Sequence, residues 1–240
     1  MRGLLRSLLL LAAVIGSVHA HDLITAEIAE GYLNKAAKWQ KQSAESAEKP
    51  ERARAQLRIG VMLDEIRGYL NRDLAMHGEV QGLASNYLVA ELGKLGTPLS
   101  YDRERRFFTA NARYYRAALD LGLTRELARE ARLRLLRGEF YDSFDIDPLQ
   151  TTQNTEQLQA QIRLVDELYE GVSAEPDREE VRFIAAIVYA RAAKFTADGK
   201  RRAAYLDKAL AYIDAFGREY PDSMRSAAMP VVRDALSSLK

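Results

Sequence analysis

Asp177-Arg178-Glu179-Glu180-Val181-Arg182-Phe183-Ile184-Ala185-Ala186-Ile187-Val188-Tyr189-Ala190-Arg191-Ala192-Ala193-Lys194-Phe195 is the stretch whose reading decides the fold. Val181, Ile184, Ala185, Val188, Ala192 and Phe195 recur at the i, i+3, i+4, i+7 spacing of one buried helical face. Asp177 with Glu180 resembles a capping box that opens the helix. Downstream, Ala197-Asp198-Gly199 turns the chain into a helix over 201–220. Pro221-Asp222-Ser223 closes that helix, and Pro230 is expected to kink or delay the last one.

The same punctuation continues upstream. A helix over 23–46 ends before Pro50, and one over 51–76 stops at His77-Gly78, with Leu57, Val61, Ile66 and Leu70 at helical spacing. A shorter helix over 82–95 ends at Gly96-Thr97-Pro98. Ser100 is expected to cap a fourth helix running to 121, and Thr124 a fifth reaching 140. The longest break is 142–153, after which Asn154 and Gln157 form a capping-box pattern opening a helix over 154–171. About nine helices result, with no alternating run long enough for a sheet. Short loops between helices of similar length predict antiparallel neighbours.

The first residues have a different character. Arg2 and Arg6 precede an apolar run over 8–15, and Val18-His19-Ala20 puts small residues where a signal peptidase reads. Residues 1–20 are therefore expected to be a cleaved signal peptide, leaving a helical domain over 21–240 in the periplasm or outside the cell. The run is shorter than the ~20 residues that span a bilayer, and no later stretch is apolar enough. No transmembrane segment is expected after signal removal. The chain has no cysteine, so the oxidising compartment is used without disulfides. Removing Arg2 and Arg6 leaves a formal charge of −1, which argues against a general nucleic-acid binder.

Within 21–240 three segments are read: N-terminal helices over 21–98, a central helix pair and loop over 99–153, and repeat-like helices over 154–240. Tyr115-Arg116-Ala117-Ala118 and Tyr189-Ala190-Arg191-Ala192-Ala193 open two helix pairs. The first ends in Tyr141-Asp142-Ser143 and the second in Tyr220-Pro221-Asp222-Ser223. The tyrosine anchors lie 74 residues apart, near two repeat units of ~34 residues.

The run from Tyr205 to Phe216, followed by Tyr220-Pro221-Asp222-Ser223, resembles the second helix and terminal proline of a tetratricopeptide repeat. It is similar in particular to the envelope subgroup found in outer-membrane assembly lipoproteins and partners of the Tol-Pal system. In that resemblance Ala209 falls at the small residue of close helix packing, and Pro221 at the closing proline. It covers about 177–240. The Trp and Leu-Gly of the family's first helix and the lipoprotein cysteine are absent. The resemblance implies an all-α fold of antiparallel helix pairs stacked as a short α-solenoid. It also implies a scaffold that binds a protein or peptide in the cell envelope.

Catalytic signatures are not found. The chain carries no Glu-x-x-His pair, G-x-S-x-G elbow, P-loop or dinucleotide fingerprint. No enzyme activity and no cofactor are expected. Two rival readings stay open. One is a cell-wall glycan-acting enzyme or accessory. The other is a periplasmic copper-binding protein using His21 as the mature N-terminus, with His77 as a second ligand. The run Asp142-Ser143-Phe144-Asp145-Ile146-Asp147 holds three acids but lacks the glycine and closing glutamate of a calcium loop, and is read as an ordered turn. Asp102 with Arg106 and Glu130 with Arg134 are expected to pair at i, i+4 on helices.

Charge is regional. Ten arginines face six acids over 101–140, and two face eight over 154–180. Arg125, Arg129 and Arg132 share a helical face and are candidates for docking an acidic segment, a phosphate group or an anionic wall polymer, against the alternatives of a solvated surface or of pairing with the acidic sixth helix. Phe107, Tyr114 and Ala118 fit a buried stripe, which leaves Tyr115 facing elsewhere as a candidate groove residue. The lone Trp39, after Lys35 and Lys38, is read as a packing residue with a polar edge.

Overall fold

A computed structural model describes residues 24–143, 147, 149–151 and 154–238. The expected signal peptide and His21 lie outside them. The described residues form nine α-helices: α1 (Ala26–Glu45), α2 (Lys49–His77), α3 (Leu83–Lys94), α4 (Ala112–Leu121), α5 (Arg125–Asp142), α6 (Thr155–Tyr169), α7 (Asp177–Phe195), α8 (Gly199–Glu219) and α9 (Ala228–Ser237). A 3₁₀ turn, Met224–Ala227, precedes α9. Two short strands, β1 (Tyr101–Asp102) and β2 (Phe107–Phe108), pair antiparallel with Tyr101 opposite Phe108. The fold is all-helical, with helices packed in adjacent pairs. The contacts divide the chain into two compact units, Met1–Gly138 and Glu139–Lys240.

In the first unit α2 is the hub, packing on α1, α4 and β2, while α3 packs on α1. Its core joins Ala36 of α1, Ile59, Leu63, Ile66 and Leu70 of α2, and Leu88 and Leu92 of α3. Thr25 caps α1, its side chain accepting from the Ile28 N–H at 3.2 Å. Pro50 sits in the first turn of α2, where its missing N–H has no partner to lose, and Gly78 ends that helix in the left-handed conformation at φ +77°. Gly60 lets α4 approach: a Cβ there would lie 3.0 Å from Cε1 of Tyr115 and 3.3 Å from Cβ of Tyr114.

The expected fourth helix is overturned in its first half. Residues 101–108 form the hairpin, and helix begins only at Ala112. Asp102 does not pair with Arg106. Its Oδ1 accepts from the backbone N–H of Glu104 at 3.0 Å and of Arg105 at 2.9 Å, a local turn that competes with helix. Arg106 takes a left-handed φ of 56° and donates to the Gly78 carbonyl at 3.0 Å. Asn71 of α2 then acts as a surrogate strand. Its Nδ2 donates to the Phe108 carbonyl at 2.8 Å, and its Oδ1 accepts from the Phe108 N–H at 2.7 Å. Phe108 rather than Phe107 is the buried ring. The Glu130–Arg134 pair forms as expected, at 3.0 Å.

In the second unit α7 packs on α6, α8 and α9. The expectation of one buried face is therefore too small. Phe183, Ala186, Ile187, Tyr189, Ala190, Arg191 and Ala193 are buried together with the stripe, whereas Phe195 is exposed. Alanines around most of the helix let its neighbours close in on three sides. The expected Asp177–Glu180 capping box does not form. Asp177 is the first helical residue, and the Glu175 carboxylate accepts from the Glu179 N–H at 3.2 Å instead. The Asn154–Gln157 capping box is present in full. Ala209 is fully buried on α8. Pro230 lies in the first turn of α9, where the 3₁₀ turn has postponed the helix.

The closing segment of α8 has a specific job. Tyr220 donates to Glu175 at 2.9 Å, and Ser223 donates to Glu179 at 2.6 Å while its oxygen accepts from the Arg225 N–H. Arg225 adds a 3.1 Å bond to Glu179. The Tyr-Pro-x-Ser run thus fastens the end of α8 to the acidic first turn of α7. Burial, then the Glu175 bond, pushes the Tyr220 hydroxyl up to about 12.

Candidate functional site

The residues singled out by sequence separate in the structure. Arg125 and Arg129 are exposed on α5, while Arg132 is half-buried. Neither Arg129 nor Arg132 is free of partners. The stripe turns inward along its length, so it is not a uniform outer surface. Tyr115 corrects a clear expectation. It does not face a groove; it is fully buried, with its hydroxyl 2.5 Å from Asp64 Oδ2. Sequence placed Tyr114 in the buried stripe and turned Tyr115 out of it, but α4 buries both. It does so because Gly60 opens a slot for the second ring.

The metal readings divide in the same way. His77 is exposed in the last turn of α2, the helix end at which basic side chains are favoured. Among the described residues no group of three His, Asp or Glu side chains is placed to hold an ion. Within the 142–147 run only Asp142, Ser143 and Asp147 are described. Asp147 accepts from the Leu149 N–H at 2.9 Å and faces Lys194 at 3.6 Å. Ser143 accepts a 3.1 Å bond from the fully buried Arg191, whose guanidinium lies 5.1 Å from the Phe140 ring centroid.

What sequence reasoning missed is a cleft of about 300 Å³ in the first unit. Its floor is Trp39 of α1, Leu57, Val61 and Met62 of α2, and Leu127 of α5. Lys35, Arg54 and Arg58 stand on its rim with Glu65 and Glu130. The helical period explains the assembly. Arg54, Leu57, Arg58, Val61 and Glu65 follow i, i+3, i+4, i+7, i+11 along α2, and Lys35 and Trp39 are one turn apart on α1. Leu57 and Val61 were legible as helical apolar positions. Their flanking arginines gave no signal, because the wall that faces them comes from another helix.

The two acids on the rim differ in their surroundings. Glu130 accepts from Arg134 Nε at 3.0 Å. Glu65 lies beside the Tyr32 hydroxyl, which burial and then the Glu65 charge hold well above its ordinary value. Ion pairs in this unit include Lys41 with Glu45, Arg67 with Asp64, Lys94 with Glu91 and Arg134 with Glu130. Among the described residues none engages Lys35, Arg54 or Arg58. Lys35 lies over the Tyr32 ring, 5.5 Å from its centroid. The cleft thus combines an apolar floor with three cations that lack a carboxylate, and concave walls of low dielectric concentrate their field.

No family model, curated protein or solved structure matches this chain.

Proposed function

We propose that this protein is a helical scaffold of the cell envelope that binds another protein through a short peptide segment. It acts by docking, without a reaction of its own. The cleft on α1, α2 and α5 is the observation that carries the reading. An apolar slot bounded by cations is suited to recognition, since its floor supplies affinity and its charges supply orientation. The envelope location rests on the order of basic, apolar and small residues over 2–20. Among the described residues no helix is long and apolar enough to cross a membrane.

Photo-crosslinking in living cells tests this. A photoreactive residue replacing Val61 at the cleft should yield discrete adducts with an envelope protein, and one replacing Met224 on the second unit should not. Intact mass of the same purified protein should begin at His21. Absence of adducts at Val61, or a mass retaining Met1, would overturn the corresponding half of the proposal.

A further inference from the structure

We infer that the cleft takes an acidic peptide segment in extended conformation, with an aliphatic side chain between two carboxylates. This deepens the scaffold reading and rests on it. The ligand's sign follows from the rim. Among the described residues no carboxylate pairs with Lys35, Arg54 or Arg58, whereas Glu130 is paired with Arg134 and Glu65 lies beside the Tyr32 hydroxyl. An anion entering the cleft therefore meets three available cations against two acids, of which Glu130 is already countered by Arg134.

The ligand's apolar part follows from the floor. Leu57 and Met62 are buried, and Trp39 is half-buried against the core, so the ring presents only part of its surface to the cleft. A bare phosphate or a polyanion leaves that floor wet. A side chain of leucine size covers it and removes apolar surface from water.

Shape and spacing give the conformation. At about 300 Å³ the cleft stands at the small end of ligand pockets. A helix with side chains is about 10 Å across and does not enter such a space. Arg54 and Arg58 are one turn apart on α2, which puts them about 6 Å apart. Alternate side chains of an extended peptide recur at about 6.6 Å and point the same way. Carboxylates two residues apart then reach both arginines. The residue between them points across the cleft toward Trp39 and Lys35 on α1. Arginine suits the first role because its planar fork binds a carboxylate through two parallel hydrogen bonds. Membrane lipid is a poorer occupant, because a recessed Trp39 does not present an outward apolar surface to a bilayer.

Trp39 is the chain's one tryptophan, so its emission reports this site alone. The probe is the acetylated and amidated tetrapeptide Glu-Leu-Glu-Leu, titrated into the full mature chain. A saturable change in emission is expected, weakened by added salt. The double variant Arg54→Glu/Arg58→Glu should bind about tenfold more weakly or worse. Both arginines are exposed, so the variant should keep its circular dichroism and melting midpoint. A fluorescein-labelled probe read by anisotropy separates lost binding from altered Trp39 emission. Glu-Ser-Glu-Ser and Lys-Leu-Lys-Leu should leave emission unchanged. The inference falls if the probe gives no response, if the charge-reversed variant binds equally well, or if the lysine peptide binds as well. It also falls if phosphatidylglycerol vesicles shift Trp39 while the peptide does not. Val61 adducts persisting beside a silent titration would sink the ligand assignment and leave the scaffold reading intact. A good titration without adducts would do the reverse.

Discussion

Tyr115 in the first unit and Tyr189 in the second occupy matching places in two similar sequence runs, and they use one device in two settings. Each ring is buried, and each hydroxyl donates to an aspartate on a helix packed against its own: Tyr115 to Asp64 of α2 at 2.5 Å, Tyr189 to Asp166 of α6 at 2.6 Å. Both hydroxyls are held well above their ordinary value, by burial first and the neighbouring aspartate next. The settings differ at the polar end. The Asp64 side chain is 14% exposed, with Arg67 Nε at 3.6 Å. The Asp166 side chain is 45% exposed and is shared with Lys208, which donates to it at 3.3 Å and to the Tyr189 hydroxyl at 2.8 Å. A ring's burial therefore does not fix the energetic weight of its hydroxyl. That weight depends on whether water can replace the partner.

The strongest way to break the comparison is to remove the whole Tyr115 ring. The sequence reading placed this residue at a groove, where truncation is nearly neutral for folding. In the structure its ring lies against Gly60 and fills the space between α2 and α4. Tyr115→Ala should destabilise by about 3–5 kcal/mol, the range for truncating a buried aromatic. Urea unfolding measures it, and a loss under about 1 kcal/mol would return Tyr115 to the surface.

That residue also shows what the sequence made legible. The helices were visible because alanine, leucine and charged helix formers repeat at 3.6 spacing and are broken by Gly, Pro, Asp and Ser. Eight of the nine helices fall close to their expected bounds. The misread helix lies where a local preference was overruled by a distant residue. Glu104 and Arg103–Arg106 favour helix, but Asp102 bonds its own backbone and Asn71 completes the hairpin from α2. Nothing near residue 101 encodes Asn71. The cleft was hidden for the same reason. Arg54 and Arg58 read as ordinary surface charge until α1 and α5 supply the facing Trp39, Lys35 and Leu127. Periodicity reports which side of a helix is buried, and it does not report what sits opposite.

Asn71 gives the next largest effect and sharpens the contrast within the first unit. Its amide makes two bonds to one partly buried backbone position, and water reaches them poorly. Asn71→Ala strands the N–H and carbonyl of Phe108, at about 2 kcal/mol. Asn71→Asp keeps the acceptor and loses the donor, so it should retain part of the stability. Equal losses in the two variants would mean that the hairpin is held by the Phe108 ring and not by the amide. Amide hydrogen exchange adds a local readout, because the Phe108 N–H should exchange faster in the alanine variant alone.

The smallest effects test the comparison itself, by removing one oxygen at a time. Tyr115→Phe leaves Asp64 in a confined place with Arg67 as its remaining partner, and the expected loss is about 1–2 kcal/mol. Tyr189→Phe leaves Asp166 with Lys208 and with solvent, which is already in contact with both side chains. Its expected loss is about 0.5 kcal/mol, near that of an exposed polar contact. The phenylalanine ring keeps the edge-on packing of Tyr189 against Tyr205 and Tyr212, whose ring centroids lie at 5.9 Å and 5.3 Å. The double-mutant cycle Tyr189→Phe with Lys208→Met isolates the shared network. If Lys208 acts through the hydroxyl, the two losses are not additive and couple by several tenths of a kcal/mol. If it pairs with Asp166 alone, they add. Measured losses of equal size for the two phenylalanine variants would show that burial of the ring, and not solvent access to its partner, sets the weight of the bond.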